Sequence, residues 1–190
     1  MNRFTKGAIA GAVGIALLLT GAGSFALWNG SATAAAGTVQ SGTITIVPNG
    51  TGSWTAAHGS GAASPITISS FRAVPGDVLT FTQKVDLSAT GDNLSALLTV
   101  DPTSIKAGTG TASAQLAAAL TSGMTVTIPG TLPTGITATA TPNTYKVAGL
   151  AATTTVTVVV TLPFDPTTSG TTAQGGTVDL TKLAITLQQQ

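Results

Sequence analysis

The sequence predicts an all-β protein, a jelly-roll-like β-sandwich of about eight or nine strands with one short helix. Apolar and polar residues alternate with a period of two through most of the chain, which is typical of half-buried strands. Each alternating run is bounded by Gly, Pro or Asn, the residues that terminate strands and form turns. A short apolar run near the start predicts a signal peptide ahead of this domain.

The clearest strand lies between residues 154 and 163. Val156, Val158, Val160 and Leu162 fall on one face, and Thr155, Thr157 and Thr161 fall on the other. β-Branched residues suit a pleated surface with one buried side. The same alternation predicts further core positions, namely Ile66, Ile68, Leu79, Phe81, Val85, Leu87, Leu94, Ala96, Leu98, Val100, Met124, Val126 and Ile128.

Three local features complete the predicted domain. Val74-Pro75-Gly76-Asp77 predicts a type II turn, because Pro sets the first central φ and Gly supplies the positive one. The alanine-rich run 112–120 predicts the helix, crossing one end of the sheets. The C-terminal strand changes parity between Leu180 and Leu183, which predicts a bulge near Thr181 and Lys182.

Composition excludes several classes of function. Charged residues make up 7% of the chain, the net charge is +1, and no Glu occurs. We therefore expect neither a nucleic-acid partner nor a cleft for acidic substrates. The absence of Cys excludes disulfides and cysteine-based metal sites, and it fits an exported protein that relies on core burial.

The N-terminus has the features of a signal peptide over residues 1–26. Arg3 and Lys6 precede an apolar run from Ala8 to Thr20, and Ser24 and Ala26 are the small residues ahead of a cut before Leu27. The apolar run is shorter than the roughly 20 residues that a spanning helix needs, so we expect no stable membrane span after cleavage. An uncleaved anchor and a second cut near 34–36 are the alternatives.

The residues around this cut resemble a known family. Segment 21–30 (GAGSFALWNG), followed by 34–37 (AAAG) and the run 41–46 (SGTITI), is similar to the export segment of proteins cleaved by SipW-type signal peptidases. That group includes the TasA/CalY (camelysin-like) biofilm fibre subunits, and the turn at 74–77 also resembles a turn of the family. The resemblance implies processing by a SipW-type peptidase and secretion to the extracellular matrix or cell surface of a Gram-positive-type bacterium. It also implies polymerisation through an N-terminal donor strand.

The residues after the cut have an alternation of their own. Asn29, Ser31 and Thr33 fall on one face of an extended segment. Trp28, Ala32, Ala34 and Ala36 fall on the opposite, apolar face. We expect segment 27–40 to be a donor strand that completes the sheet of a neighbouring copy in a head-to-tail homopolymer, ahead of a sandwich domain at 41–190. In the alternative, the segment pairs with its own domain or stays disordered. The predicted donor residues are Trp28, Ala32, Ala34, Ala36 and Val39.

Residues for catalysis or metal binding are scarce, and we expect a protein that is not an enzyme and has no cofactor. The single histidine, His58, lacks a second His or a Glu for a zinc motif and is interpreted as a solvated loop residue. The six Asp residues do not follow the spacing of a calcium loop. Asp92 and Asp101 are the least implausible metal ligands, although turn and cap roles are favoured for them.

Two functions from different classes remain. The first is a secreted structural subunit of biofilm-matrix or cell-surface fibres. The alternative is a monomeric binding module or adhesin on the cell surface, for which exposed aromatic rings would be expected. Trp54 and Tyr145 are the aromatic candidates, and a strand position covering the core is the favoured interpretation of Trp54.

Overall fold

The computed structural model describes residues 38–190 together with Asn2, Phe4, Gly7 and Ala8. The chain divides into two compact units, Met1–Val39 and Gln40–Gln190. In the first unit, Phe4, Gly7 and Ala8 are helical and exposed. The predicted signal peptide, with Ser24, Ala26 and Leu27 at its cut, lies outside the described residues apart from these isolated positions.

The second unit contains eleven strands and one α-helix, α1, at Thr111–Ser122. Three of the strands are two residues long, and the eight longer ones match the predicted number. The strands are β1 Thr43–His58, β2 Ser64–Pro65, β3 Asp77–Thr90, β4 Ser95–Asp101, β5 Lys106–Ala107, β6 Thr125–Thr127, β7 Ile136–Ala138, β8 Thr144–Ala148, β9 Thr154–Pro163, β10 Val178–Asp179 and β11 Ala184–Gln189.

Two antiparallel sheets face each other across one core. The first has the order β2-β1-β3-β9-β6 and the second the order β11-β4-β8-β7, while β10 and β5 form a separate pair. Buried residues of both sheets belong to one hydrophobic cluster. β3 pairs with β9 in the first sheet, and β4 and β8, which lie between them in the sequence, pair in the second sheet. A chain rolled up into a jelly roll has this kind of arrangement. The predicted all-β sandwich is confirmed.

The predicted strand faces are also confirmed at the centre of the molecule. Val156, Val158, Val160 and Leu162 of β9 are between 0% and 3% exposed, while the threonines between them face outward. Leu87 of β3 is 0% exposed and lies in the middle of the same layer. Burying a side chain of this size contributes about 1.5–3 kcal/mol by transfer from water.

A bulge of three residues, 50–52, interrupts β1 opposite Gln83. The register with β3 shifts between Asn49 and Ser53, and the Gln83 amide donates to the Gly50 carbonyl at 3.1 Å. A Cβ on Gly52 would lie 2.3 Å from the Phe81 ring, so the close approach of strand and ring requires glycine there. The bulge preserves parity, and both halves of β1 direct their even-numbered residues to the core side.

Helix α1 forms where the alanine-rich run predicts it. Leu120 is buried and Leu116 half-buried, and the helix lies beside β5, β9 and β10. Two polar side chains join it to the segment after β9. The Gln115 Oε1 accepts from the Ala173 N–H at 3.1 Å, and the Ser113 Oγ accepts from the Thr177 N–H at 3.1 Å. Within the described part of the chain, no helix is long and apolar enough to cross a membrane.

The C-terminal bulge predicted near Thr181 and Lys182 is wrong. The parity change instead marks a turn between two strands in different sheets, since β10 pairs with β5 and β11 with β4. The Leu183 N–H donates to the Leu180 carbonyl at 3.3 Å across this turn. A turn and a bulge of one extra residue both reverse parity, and only the partner strands distinguish them.

Candidate assembly edge and polar sites

The first half of β1 is an open sheet edge. Residues Thr43–Asn49 pair with β3 on one side, whereas β2 covers the other side of β1 only at Thr55 and Ala56. Among the described residues, nothing pairs with that outer side from Thr43 to Asn49. Unpaired backbone N–H and C=O groups on such an edge form a template for another strand. Pro48 has no N–H and limits the stretch that can pair fully to 43–47.

The apolar layer beneath this edge is incomplete. Ile44 and Ile46 lie opposite Ala89 and Leu87 in the register of β1 and β3, so they share the core-side face. Ala89 and Leu87 are 0% exposed, whereas Ile44 and Ile46 are only half-buried. The core side of the sheet therefore becomes solvent-accessible at its β1 edge.

Strand β11 forms the facing edge in the second sheet. It pairs with β4 alone and contacts β1. Ile185 and Leu187 lie opposite the buried Val100 and Leu98, yet they are half-buried themselves. We name the surface formed by Ile44, Ile46, Ile185 and Leu187 the open side of the sandwich.

The opposite side, between β6 and β7, is closed. Val126, Ile128 and Ile136 are between 3% and 7% exposed. The Tyr145 hydroxyl accepts from the Ile128 N–H at 3.1 Å, and the Asn143 side chain bonds backbone groups of Met124 and Val126. Side chains thus satisfy backbone hydrogen-bonding groups of β6. The apolar residues on this side are buried, whereas those on the open side are only half-buried.

Within the described residues, β1 carries no lysine over Thr43–Asn49 that would protect this edge. Lys84 lies in β3 between β1 and β9, and Lys146 lies in β8 between β4 and β7, so both are in interior strands. Lys182 lies in the turn that precedes β11.

The predicted donor residues fall largely outside the described part. Trp28, Ala32, Ala34 and Ala36 are not described, and Val39 is 96% exposed without regular structure. Val39 directly precedes the residues that lead into β1. The donor role of this segment stays a prediction from the sequence. The open side was not predicted, because the half-exposure of Ile44 and Leu187 depends on strand order.

His58 is more constrained than a loop residue. It ends β1, and its Nδ1 lies 2.8 Å from the Oδ1 of Asp77, the first residue of β3. The His58 side chain is 66% exposed, whereas that of Asp77 is 7% exposed. Its interpretation as a solvated loop residue is therefore correct for exposure and wrong for structure. Among the residues described, no three His, Cys, Asp or Glu side chains form a group that could hold a metal.

Asp77 also completes the predicted turn at 74–77. The Asp77 Oδ2 accepts from the Val74 N–H at 2.8 Å, and the Asp77 N–H donates to the Val74 carbonyl at 3.0 Å. Gly76 has a φ of 95°, a conformation that favours glycine. The carboxylate thus fastens the turn and orients the imidazole, which are structural tasks.

Asp101, Asp165 and Asp179 share one local motif. Each is followed two residues later by Thr, and in each case the aspartate Oδ1 accepts from the hydroxyl and the N–H of that Thr. The turn and cap role favoured for Asp101 is confirmed, because it precedes the 3₁₀ turn Pro102–Ser104. The hydroxyl and then the N–H of the following Thr hold the pKa of each carboxyl below its usual 3.8.

A fourth carboxyl, Asp86, joins three strands. Both of its oxygens accept from the Asn49 side chain at 3.0 Å, and its Oδ1 accepts from the Thr155 hydroxyl at 2.5 Å. The Asn49 amide, followed by the Thr155 hydroxyl, lowers the pKa of Asp86. The sheet β1-β3-β9 is thereby cross-linked on its outer face.

These lowered pKa values predict acid sensitivity. A carboxyl whose pKa is lower in the folded state stabilises the fold at pH values above 3.8, its pKa in the unfolded chain. This stability is lost as the pH falls through the folded-state pKa. We expect the urea midpoint to decline below that pH. A variant with Asp101, Asp165 and Asp179 all changed to Asn should show a smaller decline, and an identical pH profile would contradict this assignment.

The aromatic candidates for a binding site have structural partners. Trp54 lies in β1 against Phe81, with ring centroids 5.0 Å apart, and both pack against the core. The prediction that Trp54 covers the core is confirmed. The Tyr145 hydroxyl donates to the Val126 carbonyl of β6 at 3.4 Å, so both aromatic residues have partners within the domain.

No protein-family model, curated protein or solved structure matches the chain. The resemblance of the N-terminal segment to the fibre subunit family stays a prediction from the sequence.

Proposed function

We propose that the protein is a secreted structural subunit of extracellular, biofilm-matrix or cell-surface fibres. Residues 27–40 of one copy add as a strand to the open side of the next copy. The observation that carries this proposal is the open side itself, where half-buried Ile44, Ile46, Ile185 and Leu187 meet a backbone edge with which no described strand pairs. Export depends on a SipW-type signal peptidase, as the resemblance implies.

An added strand satisfies both deficits of the open side. Its backbone pairs with the outer groups of β1 or β11, and one of its faces covers the four half-buried side chains. The alternation of the donor segment provides an apolar face with Trp28 and small alanines at 32, 34 and 36. Alanines are small enough to fit beside the four half-buried side chains of the open side, which leave little room between the sheets. Trp28, the largest side chain of the segment, supplies the largest buried area.

The contact joins two different surfaces of the subunit. One is the N-terminal segment and the other is the open side, so the interface is heterologous and leaves a free donor and a free acceptor at the two ends of any oligomer. Such an interface propagates into a filament. The low charge of the chain, with a net charge of +1, opposes self-association weakly.

Deletion of residues 27–40 tests the proposal. We expect the protein that retains them after removal of the signal peptide to form fibres in negative-stain micrographs, and the deleted form to stay monomeric in sedimentation velocity. A control in which Gly and Ser replace these residues at the same length separates loss of the strand from a shortened chain. Two monomeric proteins at high concentration would refute the fibre function, and two fibrous ones would refute the donor role.

A further inference from the structure

A cavity of about 590 Å³ opens at the end of the sandwich where β3 begins and β9 ends. It lies between α1, the segment 68–75 and the segment 164–180. Its volume is within the range of sites for small molecules. The open side contributes no residue to it, so its role is separate from strand addition.

The lining of the cavity is about half polar and half apolar, and the apolar half includes its most buried residues. Its floor consists of Leu79, Leu120 and Phe164, which are 2%, 2% and 4% exposed. Half-buried Phe71 and Leu116 form walls on either side of this floor. A ligand that enters would bury a hydrocarbon chain or ring against two phenylalanines and three leucines, a favourable transfer from water.

One cation stands at the mouth. Arg72 lines the cavity and is exposed, and no acidic residue is among the lining residues. In the part of the chain that the structure describes, the one ion pair joins His58 and Asp77, so the charge of Arg72 has no carboxylate partner. The guanidinium presents a rigid fork of donors that matches a carboxylate.

Two aspartates directly adjoin lining residues in the sequence. Asp165 follows the lining residue Phe164, and Asp179 lies between Val178 and Leu180. Each accepts two hydrogen bonds from its own Thr, Thr167 or Thr181, at 2.6–2.8 Å. They hold turns and are not among the lining residues, so Arg72 is the one charged side chain in the lining of the cavity.

We propose that this cavity binds an amphipathic monocarboxylate, a molecule of the fatty-acid class, with its chain on the floor and its carboxylate on Arg72. Apolar burial provides affinity, and the single cation provides orientation and charge selectivity. A neutral analogue of equal length binds more weakly, and a cationic analogue is rejected.

Calorimetric titration of the full chain with decanoate, decan-1-ol and decyltrimethylammonium tests the charge selectivity. We expect decanoate to bind with the highest affinity. The variant Arg72→Gln should weaken decanoate binding roughly tenfold, the loss of one charge-assisted contact, and leave decan-1-ol unchanged. Lys146→Gln, an exposed cation on β8, is the matched control and should bind like the parent protein.

Filling the cavity tests its location. Thr172 is exposed and lines the cavity, so Thr172→Trp should prevent binding of both decanoate and decan-1-ol while the thermal midpoint stays unchanged. Thr141→Trp, at an exposed position outside the lining, should have no effect. Absence of decanoate binding, equal binding of the cationic analogue, or decanoate binding unaffected by both Arg72→Gln and Thr172→Trp would overturn the proposal.

Discussion

The substitution Ile44→Lys is expected to abolish fibre assembly while the domain stays folded. Ile44 lies on the core-side face of β1, is half-buried, and is not among the residues that pack against the buried core of the described domain. In the free subunit a lysine there reaches water. In the polymer the added strand would cover its charge at a cost of at least about 2 kcal/mol, which weakens each contact by more than roughly tenfold.

Val47→Lys is the matched control for this substitution. Val47 lies in the same strand on the opposite face and is 55% exposed, so a lysine there stays in solvent in both states. Fibre yield in micrographs and the sedimenting fraction measure assembly, and a circular dichroism melt confirms folding. If the Ile44 and Val47 variants assemble equally well, the open side is not the acceptor.

Leu87→Ala is expected to lower the free energy of unfolding by about 2–5 kcal/mol. Leu87 is 0% exposed and belongs to the layer that joins the two sheets. Its truncation removes apolar contacts and leaves a cavity. The close-packed side chains between the two sheets can move only slightly to fill that cavity. Because a domain is stabilised by roughly 5–15 kcal/mol, a large share of its stability would be lost.

The control removes the same atoms from a different environment. Leu97 lies on the outer face of β4 opposite Lys146 and Gln188 and is half-exposed. Leu97→Ala should therefore lower the free energy of unfolding clearly less than Leu87→Ala does, and urea denaturation of the two variants measures the difference. Equal losses would mean that the layer containing Leu87 is not the principal core.

The local predictions that succeeded depend on neighbours in the chain. The alternation around Val158, the positive φ of Gly76 and the helix near Leu116 each follow from a few consecutive residues. In such cases backbone preference and burial favour the same local structure. The chain therefore carries this information in short segments.

The predictions that failed concern partners distant in sequence. A turn replaces the bulge expected near Lys182, because β10 and β11 pair with different strands. His58 bonds to Asp77, 19 residues away, and this pairing requires the register of β1 on β3. No motif marks such a pair, since its spacing depends on the intervening loop.

The sequence by itself determined the all-β class, the inward faces of β3, β4, β6 and β9, and the helix near residues 112–120, because side-chain alternation and turn chemistry are local properties. The tertiary structure decided which strands are neighbours, which edge has no partner among the described strands and where the cavity lined by Arg72 lies. These features arise when residues more than a hundred positions apart come into contact, as when β11 contacts β1. Many strand orders satisfy the same alternation, and packing of the whole core selects one of them.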